Sequence, residues 1–261
     1  MDESEIKAIV RSRYGSIAAG SLTSGGCCGA DAAEQSKKMG YSDADLATAG
    51  EDANLGLGCG NPLAIASLRS GEVVVDLGSG AGFDCFLAAR AVGPGGQVIG
   101  VDMTHEMLAR ARANSGKLGL GNVEFRLGEI SHLPVADGVA DIVISNCVIN
   151  LVPEKGQVFR EAFRVLKPGG RLAVADVVNL RPLPPELAAD RTLIAGCVAG
   201  AAPVAHLEAM LAEAGFAGIR IVPKNESREL VADWAPGRRF DGRGIEDYIA
   251  SAIIMAEKPH R

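Results

Sequence analysis

The string "VVVDLGSGAG" at residues 73–82 constrains the fold of this chain more than any other segment. Its β-branched run predicts a buried strand, and Gly78, Gly80 and Gly82 follow that strand directly. Glycine allows the positive φ angles of a sharp turn and lets a ligand lie against the main chain. The helix that follows adds unpaired N–H donors at its first turn. We therefore predict that a nucleotide-like ligand binds at this turn.

The same alternation of strand and helix continues along the chain. Further predicted strands cover residues 97–102, 122–127, 140–146 and 170–176. Predicted helices cover residues 81–92, 104–119 and 153–167, the last of them ending at Pro168 and the glycines after it. Alternation of this kind indicates an α/β fold with a parallel sheet that is covered on both faces.

The two flanks of this alternating region differ from it in composition. The N-terminal flank combines a predicted helix at 3–14 with two glycine-rich loops and a short helix at 62–69. The C-terminal flank contains a proline-started helix after 181, a helix at 204–214, and strands at 216–223 and 248–257 on either side of a charged insertion. We accordingly divide the chain into regions 1–70, 71–181 and 182–261.

Small differences indicate which nucleotide binds. A dinucleotide fingerprint has its third glycine where Phe83 stands, which disfavours a nicotinamide oxidoreductase. Asp102 ends the second predicted strand, where a carboxylate can accept hydrogen bonds from both ribose hydroxyls; the alternative is an exposed acid at a strand end. Glu129 could reach an adenine amino group, and Ile130 could cover the ring. All these positions lie at the carboxyl ends of strands, where open α/β sheets bind ligands.

Composition and charge exclude several classes of function. The net charge is −6, and Lys and Arg are scattered without stacking aromatics, so nucleic acid is not an expected partner. The N-terminus lacks an apolar signal segment, and no run approaches the ~20 apolar residues of a membrane helix. We expect a cytoplasmic monomer in which the six cysteines are free thiols rather than a disulfide framework.

Five of these cysteines fall in loops that can reach one cleft. Cys147 follows the fourth predicted strand, Cys197 lies in "LIAGCVAGA", and Cys27, Cys28 and Cys59 lie in the two glycine-rich loops. Thiolates select soft ions, but the sequence has no CxxC pair for zinc. Three thiols from separate loops suit a trigonal-pyramidal centre with a lone pair, such as trivalent arsenic. For any one cysteine the alternative is a small buried hydrophobe, the role we predict for Cys85.

The motifs "DLGSGAG", "VDM", "GEI" and "LKPGG" together resemble those of the class I S-adenosylmethionine-dependent methyltransferases. This resemblance implies a Rossmann-like, seven-stranded sheet that is mostly parallel, with residues 248–257 as its antiparallel last strand. It also implies S-adenosylmethionine as cosubstrate. The implied cofactor-binding residues are Asp76, Gly78, Ser79, Gly80, Asp102, Met103, Glu129, Ile130 and Asn146.

Over residues 40–215 the chain resembles the arsenite S-adenosylmethionine methyltransferases, through "ANLGLGCGNP", "ISNCVINL", "FREAFRVLKPGGRLA" and "GCVAGA". The resemblance implies that Cys147, Cys197 and Cys59 bind As(III), which enters as arsenite or a thiol-bound species and is detoxified by methylation. It also implies that Cys28 or Cys27 pairs with Cys59 during reduction of the product. An external thiol such as thioredoxin or glutathione then restores the thiols.

Two other functions are compatible with parts of the sequence. One is a methyltransferase for a small organic molecule such as a quinone or sterol, in which the cysteines are structural. The other is a non-catalytic arsenite-binding sensor or sequestering protein. The complete cofactor motif argues against the sensor, because binding arsenite requires neither Asp102 nor the glycine loop. Trp234 and Phe240, in the weakly matched C-terminal segment, are interpreted as packing residues.

Overall fold

The computed structural model describes residues 2–22, 31–224 and 227–260. Its strands are β1 (Val73–Leu77), β2 (Gln97–Asp102), β3 (Val123–Leu127), β4 (Ala140–Asn146), β5 (Leu166–Asn179), β6 (Ala202–Pro203), β7 (Ala217–Pro223) and β8 (Ile249–Glu257). They form one sheet in the order β3-β2-β1-β4-β5-β8-β7, and the two-residue β6 pairs with the end of β5. β1 pairs in parallel with β2 and β4, whereas β8 runs antiparallel between β5 and β7. The predicted Rossmann-like sheet with an antiparallel last strand is therefore confirmed.

The described helices are α1 (Glu3–Ala18), α2 (Ala32–Lys38), α3 (Asp43–Ala49), α4 (Leu63–Ala66), α5 (Phe83–Val92), α6 (His105–Leu118), α7 (Lys155–Val165), α8 (Pro185–Ala188), α9 (Arg191–Ala195), α10 (Val204–Glu213) and α11 (Arg228–Ala232). Buried aliphatic residues of β1 and β4 pack on both faces of the sheet. On one face they meet α7 and α10, and on the other α5 and α6. This burial explains why the central strands are almost continuous apolar runs.

Several predicted boundaries were wrong, and each has a local cause. α1 continues to Ala18, so the first glycine-rich segment begins as helix. α4 ends at Ala66, before the predicted end at 69. The largest shift is at "KPGG", which belongs to β5 rather than ending a helix, because α7 already stops at Val165. Pro168 fits there because the pairing register of β4 and β5 shifts between Ala140 and Ile142, an irregularity at which proline is tolerated.

Two helices of the N-terminal region were not predicted. α2 and α3 have seven residues each and begin after Asp31 and Ser42, whose side chains accept hydrogen bonds from the first-turn backbone. Their short length gives little helical periodicity, which explains the omission. The division of the chain at residues 70 and 181 stays a prediction, although β7 and β8 from the C-terminal region complete the same sheet.

Candidate active site

A cleft opens at the carboxyl ends of β1, β2 and β4, and the glycine loop lines it. Gly78, Gly80 and Gly82 all have positive φ angles, of 71°, 52° and 95°. At Gly78 a Cβ atom would also lie 2.5 Å from the Val148 side chain, so both backbone angle and space require glycine. The sharp turn that the sequence predicts is therefore present, and its residues line the cleft.

Asp102 ends β2 beside this loop, and its carboxylate is held in a fixed orientation. One oxygen accepts from the Gly80 N–H at 2.9 Å, and the other accepts from the Thr104 N–H at 2.8 Å. Burial nevertheless raises the pKa of Asp102, against these two backbone hydrogen bonds. Each oxygen keeps a second lone pair for a ligand hydroxyl. Met103, the next residue, also lines the cleft.

Glu129 and Ile130 close the far end of the cleft. Ile130 is buried, but Glu129 already has a partner: Lys7 of α1 lies 2.7 Å from one of its oxygens. α1 thus covers the cleft, and Lys7, Val10 and Tyr14 contribute to its lining. This position of the first helix could not be predicted, because the charges of the helix look like those of an ordinary solvated face.

Two buried carboxylates, Asp76 of β1 and Asp84 of α5, lie at the opposite end of the cleft. The Cys85 thiol donates to Asp76 at 3.1 Å, and the Tyr41 hydroxyl donates to Asp84 at 2.6 Å. Burial raises the pKa of both carboxyls, and the charge of Asp84 raises that of Asp76 further. Asp84 was not predicted, although an acid on the first turn of a buried helix was a usable signal.

Asn146 ends β4 and joins the carboxylate end of the cleft to the loop that carries Cys59. Its amide nitrogen lies 3.1 Å from Asp84, 3.0 Å from the Tyr41 hydroxyl and 2.9 Å from the Gly60 carbonyl. Its amide oxygen accepts from the Cys59 N–H at 3.0 Å. Asn146 therefore fixes the position of the Cys59 backbone as well as lining the cleft.

The structure brings Cys59, Cys147 and Cys197 together beside the cleft, as the sequence predicts. The Cys147 thiol contacts the thiols of both other residues. The Cys59 thiol donates to the Ala175 carbonyl at 3.6 Å, and the Cys197 thiol donates to the Cys147 carbonyl. All three are buried in one apolar cluster, which includes Phe240 and is contacted by Trp234, in agreement with a packing role for both aromatics.

The backbone at these thiols is unusual. Cys147 and Cys197 have φ angles of 58° and 64°, in the left-handed region that favours glycine. Such angles cost about 1–2 kcal/mol per residue for a side chain with a Cβ atom. Gly58 and Gly60 flank Cys59, and a Cβ atom on either would lie within 2.6 and 2.8 Å of a neighbouring side-chain atom. The fold therefore tolerates strain and close packing to hold these three thiols together.

The buried thiols are in their neutral form at pH 7. Burial raises the pKa of Cys59 to about 11. The Cys197 thiol lowers the pKa of Cys147, but contact with Cys59 and burial outweigh it and leave that pKa well above the usual range. Contact with Cys147, together with burial, raises the pKa of Cys197 in the same way. An incoming ligand must therefore displace the thiol protons.

Two residues beside the thiols, Asp176 and Tyr14, are not among the predicted site residues. An Asp176 carboxylate oxygen and the sulfurs of Cys59 and Cys147 lie within 4.8 Å of one another. Burial raises the pKa of Asp176 to about 6 although three donors hydrogen-bond to it. Tyr14 of α1 contacts the Cys197 thiol, and its hydroxyl donates to the Ala195 carbonyl at 3.4 Å. The acid in the apolar run "LAVADVV" was a signal for Asp176, whereas nothing in the sequence singles out Tyr14.

The remaining cysteines are Cys85, Cys27 and Cys28. Cys85 is fully buried in the core with Phe86 and Ile144, as predicted for a packing residue. Cys27 and Cys28 lie outside the described residues, so their predicted role stays a prediction. Among residues 2–22, 31–224 and 227–260, no helix is both long and apolar enough to span a bilayer.

The sheet order, the glycine loop and the acid at the end of β2 define a class I S-adenosylmethionine-dependent methyltransferase, and the methyltransferase domain family matches residues 68–215. An arsenite methyltransferase of Halobacterium salinarum is 50% identical over 272 residues, covering 100% of this chain and 68% of that protein. The Homo sapiens arsenite methyltransferase is 40% identical over 64% of this chain and 47% of its own length. This chain belongs to the arsenite methyltransferase family.

A solved structure supports the same assignment. The crystal structure of an arsenic(III) S-adenosylmethionine methyltransferase from Chlamydomonas reinhardtii is 33% identical to this chain, with a TM-score of 0.60. The match covers 77% of this chain and 67% of that chain. The chain spans about two thirds of the length of the Halobacterium relative and about half of the human one.

Proposed function

We propose that this protein transfers methyl groups from S-adenosylmethionine to trivalent arsenic that is bound by Cys59, Cys147 and Cys197. The observation that carries the proposal is the meeting of three thiols from distant segments beside a methyltransferase cofactor cleft. The names of the relatives add independent support, because arsenite is their acceptor.

The neutral state of the thiols suits neutral arsenous acid as the incoming species. Each thiol replaces one hydroxyl on arsenic, and its proton leaves with that hydroxyl as water, so no net charge enters the buried cluster. A thiol-bound arsenic species can exchange in the same way. Each cysteine thiol then replaces one bound thiolate, and its proton leaves on the displaced thiol. Thiolate ligation matches the preference of sulfur donors for soft centres.

Methyl transfer then needs no general base. The arsenic lone pair attacks the sulfonium methyl, an As–C bond forms, and the methyl–sulfur bond breaks with its electrons going to S-adenosylhomocysteine. Fixing arsenic on three thiols beside the cleft converts a two-body encounter into an oriented one, an effect that can reach ~7–11 kcal/mol. The contribution of this chain is thus to hold and orient the acceptor.

The bound donor is assigned to the cleft residues that the sequence nominates. Gly78, Ser79 and Gly80, with Asp76 and Asn146, surround the methionine portion. Asp102 and Met103 contact the ribose and the edge of the adenine. Glu129 and Ile130 contact the adenine base. For this, the ion pair between Glu129 and Lys7 must open so that Glu129 can accept a hydrogen bond from the adenine amino group. The order β3-β2-β1-β4 in the sheet supports this assignment, because Glu129, Asp102, Asp76 and Asn146 lie at or just after the ends of these strands in that order.

The methylated arsenic is formally pentavalent and must accept two electrons before another methyl transfer. We assign this reduction to a thiol pair that becomes a disulfide, Cys59 with Cys28 or Cys27, which is later reduced by thioredoxin or glutathione. Mono- and dimethylated arsenicals are the expected products. The buried position of Cys59 among the arsenic-binding thiols supports its part in this exchange.

The proposal is tested by incubating the purified protein with arsenite, labelled S-adenosylmethionine and a thiol reductant, and separating the arsenic species by chromatography. Labelled mono- or dimethylarsenicals are the expected result. Stoichiometric arsenite binding without methylation would contradict the proposal and favour an arsenite-binding protein. If arsenite neither binds nor is methylated, the acceptor is an organic molecule and the thiols are packing residues.

A further inference from the structure

Asp84 is a buried acid that the proposed mechanism does not use. It lies on the first turn of α5, is 8% exposed, and lines the same cleft as the glycine loop. Its two oxygens accept from different donors, the Tyr41 hydroxyl at 2.6 Å and the Asn146 amide at 3.1 Å. Burial and Asp84 itself raise the pKa of Tyr41 well above its usual range, so the phenol keeps its proton and donates it.

Among the residues that the structure describes, no cationic side chain pairs with this acid. Across the described parts of the chain, no Lys, Arg or His side chain forms an ion pair with Asp84 or with its neighbour Asp76. Two buried carboxyls facing one cleft cannot both be ionised without a large cost unless a cation joins them. Hydrogen bonds from neutral groups orient Asp84 but do not neutralise it. This end of the cleft therefore fits a ligand that brings a positive charge.

We propose that Asp84 binds the α-ammonium group of the methionine portion of S-adenosylmethionine, and that Tyr41 and Asn146 are positioning residues which hold its carboxylate. This inference rests on the proposed function, because that function supplies S-adenosylmethionine as the ligand. It adds to the cofactor site a residue that the glycine-loop motif does not include.

The cofactor carries a second cation, the sulfonium, but the chemistry favours the ammonium. An ammonium offers three N–H donors to a carboxylate, whereas a sulfonium offers none. A carboxylate against the sulfonium would also stabilise a charge that disappears during transfer, which would raise the barrier. The sulfonium methyl must instead face the thiols, and Cys147 follows Asn146 directly in the chain.

Asn146 also gives Asp84 a competing, purely structural explanation. The same amide that donates to Asp84 holds the backbone of Cys59 and Gly60. Removing the carboxylate could therefore disturb the thiol loop without any direct effect on the cofactor. A decisive experiment must separate loss of a ligand contact from displacement of the loop.

The experiment compares the binding of three ligands by calorimetry: S-adenosylmethionine, S-adenosylhomocysteine and 5′-methylthioadenosine, which lacks the amino-acid portion. For Asp84→Asn we expect the first two to bind about 10- to 100-fold more weakly, by similar factors, and the third to change less than about twofold. Tyr41→Phe keeps the carboxylate and should weaken the first two by about 3- to 10-fold. The control Asp43→Asn, at a side chain that is 85% exposed, should change none of them.

Three results would overturn the inference. Equal weakening of all three ligands means that Asp84 supports the fold of the cleft. Unchanged binding of all three means that it does not contact the cofactor. Weakening of S-adenosylmethionine alone means that it faces the sulfonium. Because the experiment measures binding only, a protein that binds the cofactor without methylating arsenite would refute the proposed function and leave this test valid.

Discussion

The cofactor end and the thiol end of the active site are built in different ways. The residues proposed to bind the cofactor, Asp76, Asp102 and Glu129, occur at or just after the ends of three neighbouring strands, within one stretch of about 55 residues. The three thiols come from residues 59, 147 and 197, and two of them have left-handed backbone angles. The topology of the sheet therefore suffices to bring the three carboxylates to one edge. The three thiols meet only through long-range packing and local backbone strain.

The largest effect is expected for Cys147→Ser, which should impair the thiol end of the site and leave the cofactor end intact. Serine keeps the size of the side chain but removes the soft ligand, so we expect arsenite methylation to fall by at least about 100-fold, which corresponds to ~3 kcal/mol. Cofactor affinity should stay within about twofold. The matched control is Cys85→Ser, at a cysteine outside the thiol cluster, which should retain arsenite binding. Full activity of the Cys147 variant, measured with labelled cofactor, would remove Cys147 from the mechanism.

The thiol end also contributes a distinctive pH dependence through Asp176. Burial raises its pKa from 3.8 to about 6 in the folded protein. Its stabilising contribution is complete below pH 4 and is lost as the pH rises through 6, by about 3 kcal/mol. The free energy of unfolding of the cofactor-free protein is measured in urea at pH 4.5 and at pH 8. It should fall less between these two pH values for Asp176→Asn than for the wild type. Equal losses would show that Asp176 titrates normally.

At the cofactor end, Asp102→Asn should have the opposite selectivity to Cys147→Ser. The variant loses the charge that accepts hydrogen bonds from the ribose, and its amide cannot accept on both sides. We expect cofactor affinity to fall by about 10- to 50-fold while arsenite still binds at the same stoichiometry. Calorimetry for the cofactor and mass spectrometry for bound arsenic measure the two effects. A parallel loss of arsenic would show that the ends are not independent.

The smallest effect is expected for the ion pair that closes the cofactor end. Lys7 and Glu129 are partly exposed, so Lys7→Gln should lower the free energy of unfolding by less than about 1 kcal/mol. The same change leaves Glu129 with only the longer ion pair to Arg11, at 3.8 Å, so cofactor affinity should stay equal or rise slightly. A large loss of affinity would mean that Lys7 itself contacts the cofactor and would change the assignment of Glu129.

The same contrast explains what the sequence could predict. The strands at 73–77, 97–102 and 140–146 were predicted with their observed bounds, because buried β-branched runs between helices are unambiguous. Asp102 followed from its place at a strand end. The start of β5 could not be predicted, because "LKPGG" reads as a helix end unless the irregular pairing with β4 is known.

The site residues that could not be predicted were missed for a different reason. Tyr14 and Tyr41 act through contacts between segments that lie 43 to 181 residues apart, and no local pattern carries that information. The left-handed angles of Cys147 and Cys197 are likewise set by the surrounding fold, since cysteine has no preference for them. The thiols themselves were found because cysteine is chemically distinctive, and their grouping because the chain resembles a known family.

We propose above that Cys59, Cys147 and Cys197 together bind one arsenic atom. The most direct measurement is arsenic X-ray absorption on the arsenite-loaded protein in which Cys27 and Cys28 are replaced by serine. We expect three sulfur neighbours and no oxygen, with one sulfur lost when Cys59 is also replaced by serine. Retained oxygen neighbours, or an unchanged sulfur count without Cys59, would contradict it.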